Sequence, residues 1–153
     1  MKQLTVLLAI FLFFGCTEED RLTEQQAIDK VEDFFRLLDV DVYDSEMIQK
    51  EITQDFRIFE MGEDFRWDQF DRILAPFMQS TVSTDWTLSD FRVSLDENSA
   101  HLSYYNEGVF VASNGEETRS KWLESVYLVR EDQQLKLAFL QSDLIDRQVT
   151  PAR

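Results

Sequence analysis

Hydrophobic positions at helical spacing fill the first half of the chain after Thr23, and hydrophobic positions at every second residue fill the rest. Ala27, Val31, Phe34, Phe35 and Leu38 recur at three- and four-residue intervals, which puts them on one face of a helix. Thr23 with Gln26 three residues on is a capping-box start. The spacing predicts an amphipathic helix from Glu24 to about Leu38. Asp44 or Ser45 is placed to cap a short second helix over Glu46–Lys50. Phe56, Ile58 and Glu60 alternate with Arg57, Phe59 and Met61, which suits a strand ended by Gly62. Trp67, Phe70, Leu74 and Phe77 return to helical spacing, and Pro76 is expected to bend that helix or close it near Ala75.

The period then becomes two. Phe91, Val93 and Leu95 alternate with polar residues up to the turn Asp96-Glu97-Asn98-Ser99. A strand is predicted over 100–112, starting with Ala100, Leu102 and Tyr104. Asn114-Gly115 tolerates the positive φ of a type I′ turn, so strands 100–112 and 117–130 are expected to pair antiparallel. Glu131-Asp132-Gln133-Gln134 turns the chain into a last strand, Leu135–Gln141. Helices followed by consecutive antiparallel strands indicate an α+β fold, with three helices on one face of a strongly curved sheet.

The first residues follow neither period. Lys2 is followed by an apolar run of about eleven residues, Leu4 to Phe14, against the roughly twenty that span a bilayer as a helix. A basic start, a short apolar core and a small residue before the cut make a secretory signal. Gly15-Cys16 resembles the lipobox of bacterial lipoproteins, in which the signal is removed and the cysteine acylated. An ordinary secretory signal with a free thiol, or an uncleaved anchor, stays open. The chain contains no second cysteine for an internal disulfide. Thr17-Glu18-Glu19-Asp20 resembles the surface-export signal of Bacteroidetes lipoproteins; a solvated linker is the alternative. The expected division is a signal peptide at 1–15, a lipidated Cys16 and acidic tether at 16–22, one domain at 23–146 and a tail at 147–153. The expected address is the cell envelope, lipid-anchored through Cys16 in the outer membrane, with surface exposure open.

Without Lys2 the exported part carries 14 basic and 30 acidic residues, a net charge of −16. Such a surface repels phosphate backbones and anionic headgroups, so nucleic acid is not an expected partner and membrane attachment would rest on acyl chains. Of the thirteen Phe, ten lie beyond the signal, and with three Trp they supply area for a real core.

Trp122-Leu123-Glu124-Ser125, then Val126 to Val129, a polar turn, and Leu135-Lys136-Leu137 running to Gln141-Ser142 resemble the C-terminal hairpin of SnoaL-like, nuclear transport factor 2-like domains. Trp86–Tyr105 looks like the preceding strands of that group, and the order of parts over roughly Thr23–Asp143 is similar throughout. The resemblance implies a cone-shaped fold enclosing an apolar cavity. It implies no single function, since such domains include isomerases, cyclases, hydratases, ligand binders and association modules. It also implies a possible homodimer through the outer sheet face.

Strand parity names the residues expected to line the open end of the cone: Tyr104, Asn106, Trp122, Glu124, Phe139 and Gln141. Aromatic walls with a few polar tips suit a small-molecule pocket; the same alternation also suits plain core. Glu124 in an aromatic cavity would have its charged form disfavoured and its pKa raised toward acid–base duty, unless Arg119, Lys121 or Tyr104 pairs with it. Relatives often carry a histidine on the last strand, where this chain has Phe139 and Gln141. Its single histidine, His101, falls on the opposite face from Leu102 and Tyr104. One Cys and one His build no zinc site, and Asp39-Val40-Asp41-Val42-Tyr43-Asp44 lacks the glycine and spaced Glu of a calcium loop. No cofactor or metal is expected. Two function classes follow: a domain that binds a small apolar ligand or a partner protein without catalysis, and an acid–base enzyme working through Glu124. A pocket filled by its aromatics favours the first, and a pocket with two interacting titratable groups favours the second.

Overall fold

The computed structural model describes residues 21–152. The signal sequence, Cys16 and the acidic run Thr17–Asp20 lie outside the described residues. Leu22, assigned above to the tether, is buried in the core.

Helix α1 spans Glu24–Arg36, and its capping box forms as expected. Thr23 Oγ1 accepts from the Gln26 amide and Gln26 Oε1 from the Thr23 amide, at 3.2 and 2.9 Å. Helix α2 spans Ser45–Glu51 and is capped by Asp44, whose carboxylate accepts from the Glu46 and Met47 amides. Strand β1 (Ile52–Glu60) then turns through Met61 and Gly62, both at positive φ, into a short β2 (Glu63–Phe65). The expected strand is thus the first arm of a hairpin.

Helix α3 runs from Trp67 to Ser80 straight through Pro76. Proline removes one helical hydrogen bond and crowds the preceding turn. The residues beyond it outweigh that cost: Met78 is buried, and the Phe77 ring stands against Phe110 at 5.3 Å. Packing therefore carries the helix past the point where local chemistry predicted its end.

Four long strands follow: β3 (Thr81–Leu95), β4 (Ser99–Ala112), β5 (Glu117–Glu131) and β6 (Gln134–Thr150). The six-stranded sheet has the order β2-β1-β6-β5-β4-β3, with only the β1–β6 pair parallel. Strand β6 is much longer than the predicted Leu135–Gln141. Residues 147–150, assigned to a tail, pair with Glu117–Ser120 of β5. Their exposed and, except for Val149, polar positions hid the strand, because backbone pairing rather than burial holds them.

The β4–β5 turn is not type I′. Gly115 has φ +86° while Asn114 is not at positive φ. The Gly115 amide bonds the Ala112 carbonyl at 2.8 Å and Asn114 Oδ1 accepts from the Glu116 amide, a three-residue turn closed by a left-handed glycine. Two successive positive-φ residues instead sit at Asp132-Gln133, between β5 and β6.

Helix α1 buries Ala27, Val31, Phe34 and Phe35 against the concave face of the sheet, where Leu102, Val126, Leu128 and Leu137 are fully buried. This is three helices on a curved, mostly antiparallel sheet. Between α1, α3 and the sheet the core stays open.

Candidate functional site

A cavity of about 390 Å³ lies inside the cone, within the range of small-molecule sites. Its walls are mainly aromatic and aliphatic: Phe34 and Phe35 from α1 and Leu38 just beyond it, Phe70, Leu74 and Phe77 from α3, and Trp86, Phe110 and Trp122 from the sheet. Trp86 lies 5.1 Å from Phe110 and 6.1 Å from Trp122, centroid to centroid. Gly108 makes room for this cluster. A Cβ there would fall 2.7 Å from the Phe110 ring and 3.0 Å from that of Trp86. Residues that line the cavity and are also exposed mark its mouth: Met61, Ile73, Phe77, Val149 and Arg147.

The polar groups form a row across the sheet. Glu60 on β1 is opposite Ser142 on β6, Ser142 is opposite Glu124 on β5, and Glu124 is opposite Tyr104 on β4. All four side chains therefore point to the concave face. Glu124 is only 6% exposed. Its Oε1 accepts from Ser142 Oγ at 2.9 Å and from Asn106 Nδ2 at 3.3 Å. Among the described residues its Oε2 has no hydrogen bond, and neither do Asn106 Oδ1, Tyr104 Oη, Trp86 Nε1 and Trp122 Nε1. Buried polar atoms without partners are costly, and each asks for an explanation.

Electrostatics follow from this geometry. Burial raises the Glu124 pKa to about 7, against the opposing effect of the polar groups of Tyr104, Asn106 and Ser142, while the charge of Glu60 pushes it further up. Half-buried Glu60 is also raised, first by burial; the Ser142 hydroxyl and the charge of Arg147 pull the other way. Burial, then the neighbouring Glu124, holds the Tyr104 phenol well above its ordinary value. At the mouth, Arg147 Nε donates to the fully buried Ser120 Oγ at 3.1 Å.

Of the six residues predicted from parity, Asn106, Trp122 and Glu124 line the cavity. Tyr104 is buried beside Glu124, packed on Phe35 and Phe91. Phe139 and Gln141 are on the other side of the sheet. Strand β6 bulges at Ala138, so that Leu128 pairs with Leu137 and Tyr127 with Phe139. One extra residue reverses parity: Leu140 and Ser142 point inward, Phe139 stacks edge-on with Phe59 at 5.0 Å, and Gln141 Nε2 donates to Asp143.

Arg119 and Lys121 do not reach Glu124 either. Both pair with Glu107 on the convex face, at 3.0 and 2.8 Å. His101 is exposed, and the Asp39–Asp44 stretch is a helix end and cap in which Asp39 Oδ1 accepts from Thr84 Oγ1 at 2.6 Å. Among the described residues no cluster of three His, Cys, Asp or Glu side chains forms a metal site. Sequence reasoning missed Glu60, Ser120, Ser142 and Arg147. Alternation had already placed Glu60 with Phe56 and Ile58, the one signal pointing inward.

No family model matches the chain, and no curated protein matches it in sequence. Solved structures do match. A proposed aromatic ring hydroxylase from Novosphingobium aromaticivorans superposes with a TM-score of 0.72 at 18% identity, covering 88% of this chain and 96% of that one. The hexachlorocyclohexane dehydrochlorinase LinA, type 2, gives 0.67 at 7% identity over 84% and 92%. The association domain of C. elegans CaMKII gives 0.62 at 16% identity over 78% and 93%. The fold is the nuclear transport factor 2-like cone. Enzymes and a non-catalytic domain both use it, so any function has to be argued from the site.

Proposed function

We propose that this chain is a lipid-anchored envelope protein, diacylated on Cys16, whose cone binds a small, largely apolar molecule by one polar group. The observation that carries the pocket reading is the free Glu124 Oε2, buried at the wall of an open aromatic cavity. An apolar body displaces water from the Phe and Trp walls, and the polar group meets Glu124 and Asn106. The anchor rests on the Gly15-Cys16 motif alone.

Calorimetric titration of the purified protein with naphthalene should give saturable one-site binding that Thr118→Trp, on the cavity wall opposite Val149 of the mouth, abolishes. Binding that survives this obstruction, or none in the native protein, would remove the pocket reading. For the anchor, a fatty-acid analogue should label the native chain in cells and leave Cys16→Ala unlabelled. The exposed Tyr105, Leu123 and Tyr127 on the convex face support pairing of two copies there, which sedimentation tests.

A second reading is favoured by one observation: Glu124 and Glu60 are two interacting carboxylates in one cavity, joined through Ser142. A carboxyl titrating near neutrality is suited to take and return a proton. This enzyme would move a proton on a ketone or enone, and its turnover would vanish in Glu124→Gln with binding retained.

A further inference from the structure

We propose that the ligand of this cavity is a lipophilic primary amine, held as its ammonium by Glu124 Oε2 and Asn106 Oδ1. This deepens the pocket reading and rests on it. The two oxygens belong to buried side chains on the cavity wall, and neither accepts a hydrogen bond among the described residues, although the Tyr104 hydroxyl lies near enough to Glu124 to act on its pKa. Asn106 Nδ2 is already spent on Glu124 Oε1, which fixes the amide with its oxygen free. Among the described residues the site also holds N–H and O–H groups without partners, at Trp86, Trp122 and Tyr104, but at the Glu124–Asn106 pair what is needed is N–H or O–H hydrogen. A primary ammonium brings three donors, a hydroxyl one, and a carboxylate or ketone none.

Charge selects the same class. The charged lining residues are Glu60, Glu124 and Arg147. Arg147 stands at the mouth, bonded to Ser120, and its field acts on Glu60. Glu124 is then the carboxylate without a cation of its own. The rings of Trp86, Trp122 and Phe110 line the cavity, aromatic rings attract cations at their faces, and Trp122 is directly opposite Asn106 in the β4–β5 register. The whole chain, at −15, draws cations toward it. Buried ion pairs hold only when the remaining donors are satisfied; Asn106 Oδ1 takes a second of the three, and the third is left to the aromatic wall.

The test compares octylamine, octanol and octanoate, one chain with three head groups, by calorimetry at about pH 8, below the usual ammonium pKa and above the Glu124 midpoint. Octylamine should bind about tenfold or more tighter than octanol, the factor one charge-assisted hydrogen bond carries, and octanoate weakest. Glu124→Gln should bring octylamine and octanol to similar affinity. In the native protein, octylamine affinity should fall as pH drops through about 7 while octanol affinity stays level, because protonated Glu124 no longer offers a charge. The groups facing Glu124 during that titration are Glu60, Tyr104, Asn106 and Ser142; the helices contribute only apolar side chains to the wall. Octanol or octanoate matching octylamine in the native protein overturns the amine and leaves the pocket standing. Failure of all three overturns both.

Discussion

Glu107 and Glu124 are carboxylates on neighbouring strands of one sheet, and they behave as opposites. Glu107 is on the convex face, where Arg119 and Lys121 reach it and hold its pKa below the ordinary value. Glu124 is on the concave face, where among the described residues no cation is within ion-pairing distance and burial raises its pKa to about 7. Backbone and residue type are shared. What differs is the side of the sheet and the partners found there. The fold thus keeps its many charges in water and admits very few to the cone, and those few define its chemistry.

The comparison is most easily broken by emptying the face that makes Glu124 special. Leu102, fully buried under α1, should cost about 2–5 kcal/mol on change to Ala. Leu123, exposed on the convex face, should stay within about 0.5 kcal/mol. Urea denaturation of both variants measures the contrast, and similar losses would deny that the concave face is the core.

The next effect is on pH. An unfolded Glu titrates near 4.3, and folded Glu124 near 7, so the native state keeps a proton that the unfolded chain gives up. Its contribution is full below about pH 4.3 and is lost as pH rises through 7, a decline of about 4 kcal/mol. Glu124→Gln, which carries no such proton, should remove that slope and be more stable than the native protein at about pH 8. Melting curves between pH 4 and pH 8 are the measurement; an unchanged slope would mean that Glu124 is solvated.

Gly115 holds the turn that fixes which residues of β4 and β5 face inward. Its φ of +86° suits glycine, and Gly115→Val should cost about 1–2 kcal/mol, read as a lowered denaturation midpoint. The smallest effect belongs to Glu107→Gln. Its depressed pKa contributes stability above the carboxylate range and loses it as pH falls, the opposite sign to Glu124. Because Glu107 is solvent-exposed, the difference from native should disappear in high salt.

Local pattern determined much of this molecule. The Thr23 capping box, the α1 face from Ala27 to Phe35, the β4–β5 pairing and the inward set Tyr104, Asn106, Trp122 and Glu124 were all legible, since each depends on residues within a turn or on an unbroken period of two. Tertiary structure decided the rest. The bulge at Ala138 turned Phe139 and Gln141 outward and brought in Ser142, because one inserted residue reverses the side chains after it, until a second bulge at Ile145 turns Arg147 and Val149 inward again. Packing against Phe110 carried α3 through Pro76. Glu60 and Arg147 reached the cavity from strands separated in sequence by more than half the domain, and only the parallel β1–β6 pairing brings Glu60 opposite Ser142. A one-dimensional pattern can say which way a side chain points, but which groups meet across a sheet is set by register, and register is fixed by the whole core.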